Sequence, residues 1–65
     1  MSNKRFSKRT LDENNVGIYF GGEFLGVINY DIYTQQYIGT HVVEGYSEPS
    51  NVIDDVYEWF KRFVR

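Results

Sequence analysis

The apolar residues change their period once along this chain, and the change divides it into a sheet half and a helical half. Val16-Gly17-Ile18-Tyr19-Phe20 and Glu23-Phe24-Leu25-Gly26-Val27-Ile28-Asn29-Tyr30 are runs rich in β-branched and aromatic residues, separated by Gly21-Gly22. A Gly-Gly pair between such runs predicts a two-residue hairpin, because both central residues of a type I′ turn need positive φ. A third run, Tyr37 to Glu44, follows the connection Asp31 to Gln36. Past Gly45-Tyr46-Ser47-Glu48-Pro49 the spacing becomes helical. Val52, Val56, Trp59 and Phe63 form one row, Ile53, Tyr57, Phe60 and Val64 its neighbour. Asp54, Asp55, Glu58, Lys61, Arg62 and Arg65 occupy the other side, acids first and bases last, as the helix dipole favours. Ser47 or Ser50 is the expected cap, with Pro49 suited to the first turn in the former case.

These elements predict an α+β domain over residues 15–65, a three-stranded antiparallel sheet of two hairpins followed by one amphipathic helix (β-β-β-α). Residues 1–14 contain only Met1, Phe6 and Leu11 as large apolar groups, without sustained period, and read as a flexible basic arm.

The turn at Gly21-Gly22 sets an expected register in which Phe20 faces Glu23, Tyr19 faces Phe24, Ile18 faces Leu25, Gly17 faces Gly26 and Val16 faces Val27. Paired residues project to the same side of a sheet. A loop of Ile32 to Gln35 then pairs Tyr30 with Tyr37. One face becomes aliphatic, with Val16, Ile18, Leu25, Val27, Ile38 and Val42. The other becomes aromatic, with Tyr19, Phe24, Ile28, Tyr30, Tyr37, His41 and Val43 around Gly17, Gly26 and Gly39. A single helix covers only one such face, since its width of about 10–12 Å roughly matches three strands about 4.8 Å apart. The aliphatic face is the expected floor for the helix. The reverse is open, because the three glycines would let Trp59, Phe60 and Phe63 approach closely. Either way an apolar face is left over, and a second copy of the chain is its simplest cover.

Composition narrows the choice further. A chain of 65 residues buries a small core and commonly needs a disulfide, a metal or oligomerisation for stability. With no cysteine and one histidine, neither a disulfide nor a thiolate metal site is available, and no cofactor is expected. Oligomerisation remains, so a homodimer or a chain resident on a larger protein is expected. No apolar run approaches the roughly 20 residues that cross a bilayer, and no signal peptide is visible, so a cytoplasmic location is expected and a membrane partner is not.

Charge is uneven. Lys4, Arg5, Lys8 and Arg9 lie in a stretch without acids, while three bases stand against nine acids in the remainder. The four bases are candidate contacts to nucleic acid. A basic arm leading into three strands and a helix resembles, in topology, the arm-site DNA-binding domains of phage-type tyrosine integrases. It shares no motif with them, and the folded part here is acidic.

Catalytic chemistry is absent from the pattern. His41 stands alone, no serine sits in a nucleophile elbow, and no glycine-rich loop opens a helix. Asp54 and Asp55 diverge by about 100° on a helix and belong to its first turn. Six tyrosines suit an interface instead. The expected function is that of a small non-enzymatic accessory or inhibitor protein, homodimeric, modulating a larger protein through Tyr19, Phe24, Ile28, Tyr30, Tyr37 and His41. The alternative is a nucleic-acid-binding module that uses the arm and the sheet aromatics.

Overall fold

In the computed structural model, which describes residues 4–64, the chain forms five strands and one helix. The strands are β1 (Phe6–Asp12), β2 (Asn15–Phe20), β3 (Glu23–Asp31), β4 (Gln36–His41) and β5 (Gly45–Tyr46), and the helix is α1 (Ile53–Lys61). The strands pair antiparallel in sequence order, a simple meander. The α+β character stands, but the expected three-stranded sheet with a flexible arm is corrected to five strands. Residues 1–3 of the expected arm, and Arg65 of the expected helix, lie outside the described residues.

The arm becomes a strand because its one aromatic residue has partners on two elements. Phe6 packs at 4.9 Å from Phe20 on β2 and 5.9 Å from Tyr57 on α1, ring centre to ring centre. At the other end of β1 the Asp12 carboxylate accepts a hydrogen bond from the Asn14 amide at 2.8 Å and another from the Asn15 side chain at 3.0 Å. This Asx-type closure makes the turn into β2. The fifth strand arises differently. The third run ends at His41, turns through Val42-Val43-Glu44, and returns along β4 at Gly45 and Tyr46. With the arm inside the sheet, the topological resemblance to the integrase arm-binding domains no longer holds.

Gly21 and Gly22 form the expected hairpin turn, with φ of +60° and +83°. Phe20 pairs with Glu23 and Tyr19 with Phe24, as the turn requires. The register then departs from expectation by one residue. Ile18 pairs with Gly26, Gly17 with Val27 and Val16 with Ile28, which leaves Leu25 as the extra residue of a β-bulge. Gly26 has a structural reason to be there, since a Cβ at this position would collide with the Thr40 carbonyl oxygen of β4. The β3–β4 hairpin matches expectation: Tyr30 pairs with Tyr37, and the Asp31 side chain holds the loop by accepting from the Tyr33 amide at 2.9 Å.

The bulge redistributes the side chains. Ile18 and Leu25 now share a face with Ile28, and together with Val56 and Phe60 of the helix they form the buried core. The expected aliphatic and aromatic faces therefore do not exist as such, because each face takes members of both. The helix lies over Gly39, where an added Cβ would stand 2.6 Å from Val56 Cγ1 and 3.0 Å from Phe60 Cε2. Of the three glycines considered above for close approach only Gly39 meets the helix, and the residues nearest it are Val56, Phe60 and Trp59.

Within Ile53–Lys61 the helix follows the wheel, but it is shorter than expected, and Val52 and Phe63 of the expected apolar row lie outside it and are exposed. Val56 and Phe60 are buried, Ile53, Tyr57 and Trp59 half-buried, and Asp54, Asp55, Glu58 and Lys61 exposed. Val52 is the N-cap residue and offers no side-chain cap. Ser50 serves the entry instead: its hydroxyl accepts from the Val52 amide at 3.1 Å and donates to the Asp55 carboxylate at 2.8 Å. Ser47 is used elsewhere. Its buried hydroxyl accepts from the Gly39 amide at 2.8 Å and donates to the Glu48 carbonyl at 3.1 Å, tying the return segment to β4 directly beneath the helix.

Two outcomes follow from this packing. Gly39→Ala should destabilise the fold by about 1–3 kcal/mol, the usual cost of overpacking, because the Val56 and Phe60 side chains must move. Gly26→Ala should cost more, because its obstacle is backbone; urea denaturation should rank the two in that order. The turn at Asp12 gives a pH dependence. The Asn14 amide foremost, then the Asn15 side chain, holds the Asp12 carboxyl below its ordinary 3.8. A carboxyl depressed by folding contributes stability above its unfolded value and loses it as pH falls through the folded one. The Asp12 titration midpoint by NMR should lie under 3.8, and the stability gap between wild type and Asp12→Asn should close only below that pH.

Candidate functional site

The meander has two faces, and the helix occupies one. Register and contact identify the other. Gly17 faces away from the helix, since a Cβ there would meet Tyr19 Cε1 at 3.1 Å and Leu11 Cδ2 at 3.4 Å. Alternation and pairing then place Tyr19, Phe24, Val27, Ile38 and Tyr46 on the same open side. Tyr19 and Phe24 meet edge to face at 5.4 Å. Phe24 is 43% exposed, Leu11 48% and Tyr46 78%, values high for residues of this size. Ser7, Arg9, Asn15, Asn29, Gln36 and Thr40 are the polar members. Asn29 is engaged, donating to the Asn15 side-chain oxygen at 2.9 Å. The result is a mixed surface in which Tyr19, Phe24, Val27 and Ile38 supply the apolar area, Asn29 and Thr40 flank Val27, and the charges lie at the margins, Arg9 on the edge strand and Asp31 in its own turn.

The six residues expected to form one interface are divided by the bulge. Tyr19 and Phe24 lie on the open face. Ile28 is buried in the core, and Tyr30 and Tyr37 lie on the helix side, 4.9 Å apart. These two tyrosines, with Val16, Ile28, Asn14 and Ile53, line a shallow groove of about 230 Å³ beside the helix entry. His41 is also on the helix side, stacked on Phe60 at 5.9 Å and 5.1 Å from Phe63. Its Nδ1 accepts from the amides of Val43 and Glu44 at 3.1 and 3.2 Å. Nδ1 thereby caps the β4–β5 turn as an acceptor for two amides.

Val27 and Ile38 were missed as open-face residues because the unbulged register places them under the helix. Leu11 was missed because it fell in the arm. The signal that could have found them is Gly26 itself, since a glycine inside a strand pattern often marks a bulge.

The four bases occupy one ribbon. Lys4 and Arg5 lead into β1, and Lys8 and Arg9 project from it to opposite sides; all four are exposed. Lys8 Nζ stands 5.6 Å from the centre of the Tyr57 ring, which Lys61 Nζ also approaches at 5.0 Å, so the tyrosine is flanked by two cations. Glu58 binds Lys61 at 3.0 Å and raises its ammonium above the ordinary lysine value.

Among the described residues no three His, Cys, Asp or Glu side chains converge as a metal site, and no helix is long and apolar enough to cross a membrane. Replacing His41 by Phe keeps the stack on Phe60 and removes the acceptor for two amides. A loss of about 1 kcal/mol is expected, with faster amide exchange at Val43 and Glu44 as the local sign. No family model, curated protein or solved structure matches the chain.

Proposed function

We propose that this chain is a small non-enzymatic accessory or inhibitor protein that pairs with a second copy of itself through its open sheet face and acts by binding a larger protein. The observation that carries this reading is the uncovered apolar face built by Tyr19, Phe24, Val27 and Ile38. An antiparallel sheet with one solvated face normally presents polar residues there. Here large apolar side chains stand among uncharged polar ones and the charges are marginal, so two such faces can meet without burying an unpaired charge. A pair related by a two-fold axis would bury both faces at once. It would also supply the stabilisation that a five-residue buried core provides only sparingly.

The nucleic-acid alternative draws support only from the bases on and before β1, and the acidic remainder of the chain opposes it. The face is tested by Phe24→Glu, at an exposed position where a charge leaves the core untouched. Wild-type protein should show a concentration-dependent mass in sedimentation, and the variant should be a monomer with an unchanged circular-dichroism spectrum. A wild-type monomer at all concentrations would remove the homodimer, and a variant mass equal to wild type would remove the face.

A further inference from the structure

The sheet ends in two unequal edges. On one side β5 is two residues long, and beyond it Tyr37 and Ser50 exchange hydrogen bonds at 2.6 and 3.0 Å. On the other side β1 presents seven residues, and among the described residues no strand pairs beyond it. The Arg5 carbonyl accepts from the Gly21 amide at 3.0 Å, so residue 5 directs its backbone toward β2. In an antiparallel ladder that direction alternates. Ser7 and Arg9 therefore bond β2, while the amides and carbonyls of Phe6, Lys8 and Thr10 point outward, ready to pair with a further strand.

The charge along this edge is positive up to Asp12, the last residue of β1, whose carboxylate is engaged by Asn14 and Asn15 in the turn to β2. From Lys4 to Leu11 there are four bases and no acid, and the neighbouring β2, Asn15–Phe20, carries no charge at all. Among the described residues no acid is in ion-pair contact with Lys8 or Arg9. Because these two lie on opposite sides of the strand, a partner strand with acids at successive positions would meet a base on each face. A second β1 would bring base against base, which weighs against this edge pairing with its own copy. A nucleic-acid strand would use the charges but leave the outward amides and carbonyls without a ladder.

We propose that β1 is a docking edge for an extended acidic segment of a partner protein, which adds to the sheet as a sixth strand by β-augmentation. This supplies the contact to a larger protein and depends on the edge alone, separately from the open face.

The test uses the full chain and a synthetic peptide of about ten residues in which adjacent Glu-Asp pairs are separated by Val-Thr pairs, so that acids fall on both faces of the strand, followed by fluorescence anisotropy and amide exchange. Saturable binding is expected, weakened by salt, with new protection at the amides of Phe6, Lys8 and Thr10 and none at Ser7 and Arg9. The double variant Lys8→Gln/Arg9→Glu, altered at exposed positions, should bind at least tenfold more weakly while keeping its circular-dichroism spectrum. The Phe24→Glu chain should bind as wild type does, so failure of the dimer leaves this result intact. A peptide with proline at alternate positions should not bind. Binding of that proline peptide as tightly as the parent, absence of protection at the outward amides, or tighter binding of a single-stranded oligonucleotide than of the acidic peptide would each overturn the proposal.

Discussion

One extra residue in β3 governs which side chains meet in this molecule. Leu25 lies outside the one-to-one ladder, so everything C-terminal to it in the strand is reversed relative to the hairpin turn. Leu25 and Ile28, three apart and nominally on opposite sides, come to share the core, while Phe24 and Val27 share the open surface. The bulge is held in place by Gly26 against the Thr40 carbonyl of β4, a contact only glycine permits. Because the side-chain period of a strand is two, a single residue of slip exchanges whole faces. The core and the open face are both products of that one step.

The helix depends on it in turn. Once Ile28 faces inward, its partner Gly39 faces the helix, and the missing side chain lets Val56 and Phe60 settle onto the backbone of β4. A nine-residue helix with no side-chain N-cap has little stability of its own. Its position comes from packing and from the Ser47 and Ser50 hydroxyls, which secure the segment leading into it. The edge strand completes the arrangement. Phe6 closes the gap between Phe20 and Tyr57, and Lys8 lies over the same tyrosine. The packing of Phe6 between these two rings holds the basic segment in the sheet.

What could be read in the sequence was what local chemistry decides. The Gly21-Gly22 turn, the Tyr30–Tyr37 pairing across a loop held by Asp31, and the two rows of the helix all depend on residues close together in the chain. The misreadings lie where distant residues decide. The bulge needs Thr40 beside Gly26, and β1 needs Tyr57 beside Phe6. Neither neighbour is visible from the local period. The candidate site inherited the register error, so Tyr19 and Phe24 fell on the open face while Ile28, Tyr30, Tyr37 and His41 went to the helix side.

The inequality of the two sheet edges has a consequence for the size of any assembly. A sheet with two long edges can grow by repeated strand addition, the geometry of a fibre. Here one edge is two residues long and backed by the return segment through Ser50, and the other carries Lys8 and Arg9 along its length with Asp12 only at its end. Growth in that direction ends with the first strand added, because β5 has too little ladder to continue it on the far side. The fold thus limits itself to finite complexes, with the stopping point set by the Val42-Val43-Glu44 turn that cuts β5 short.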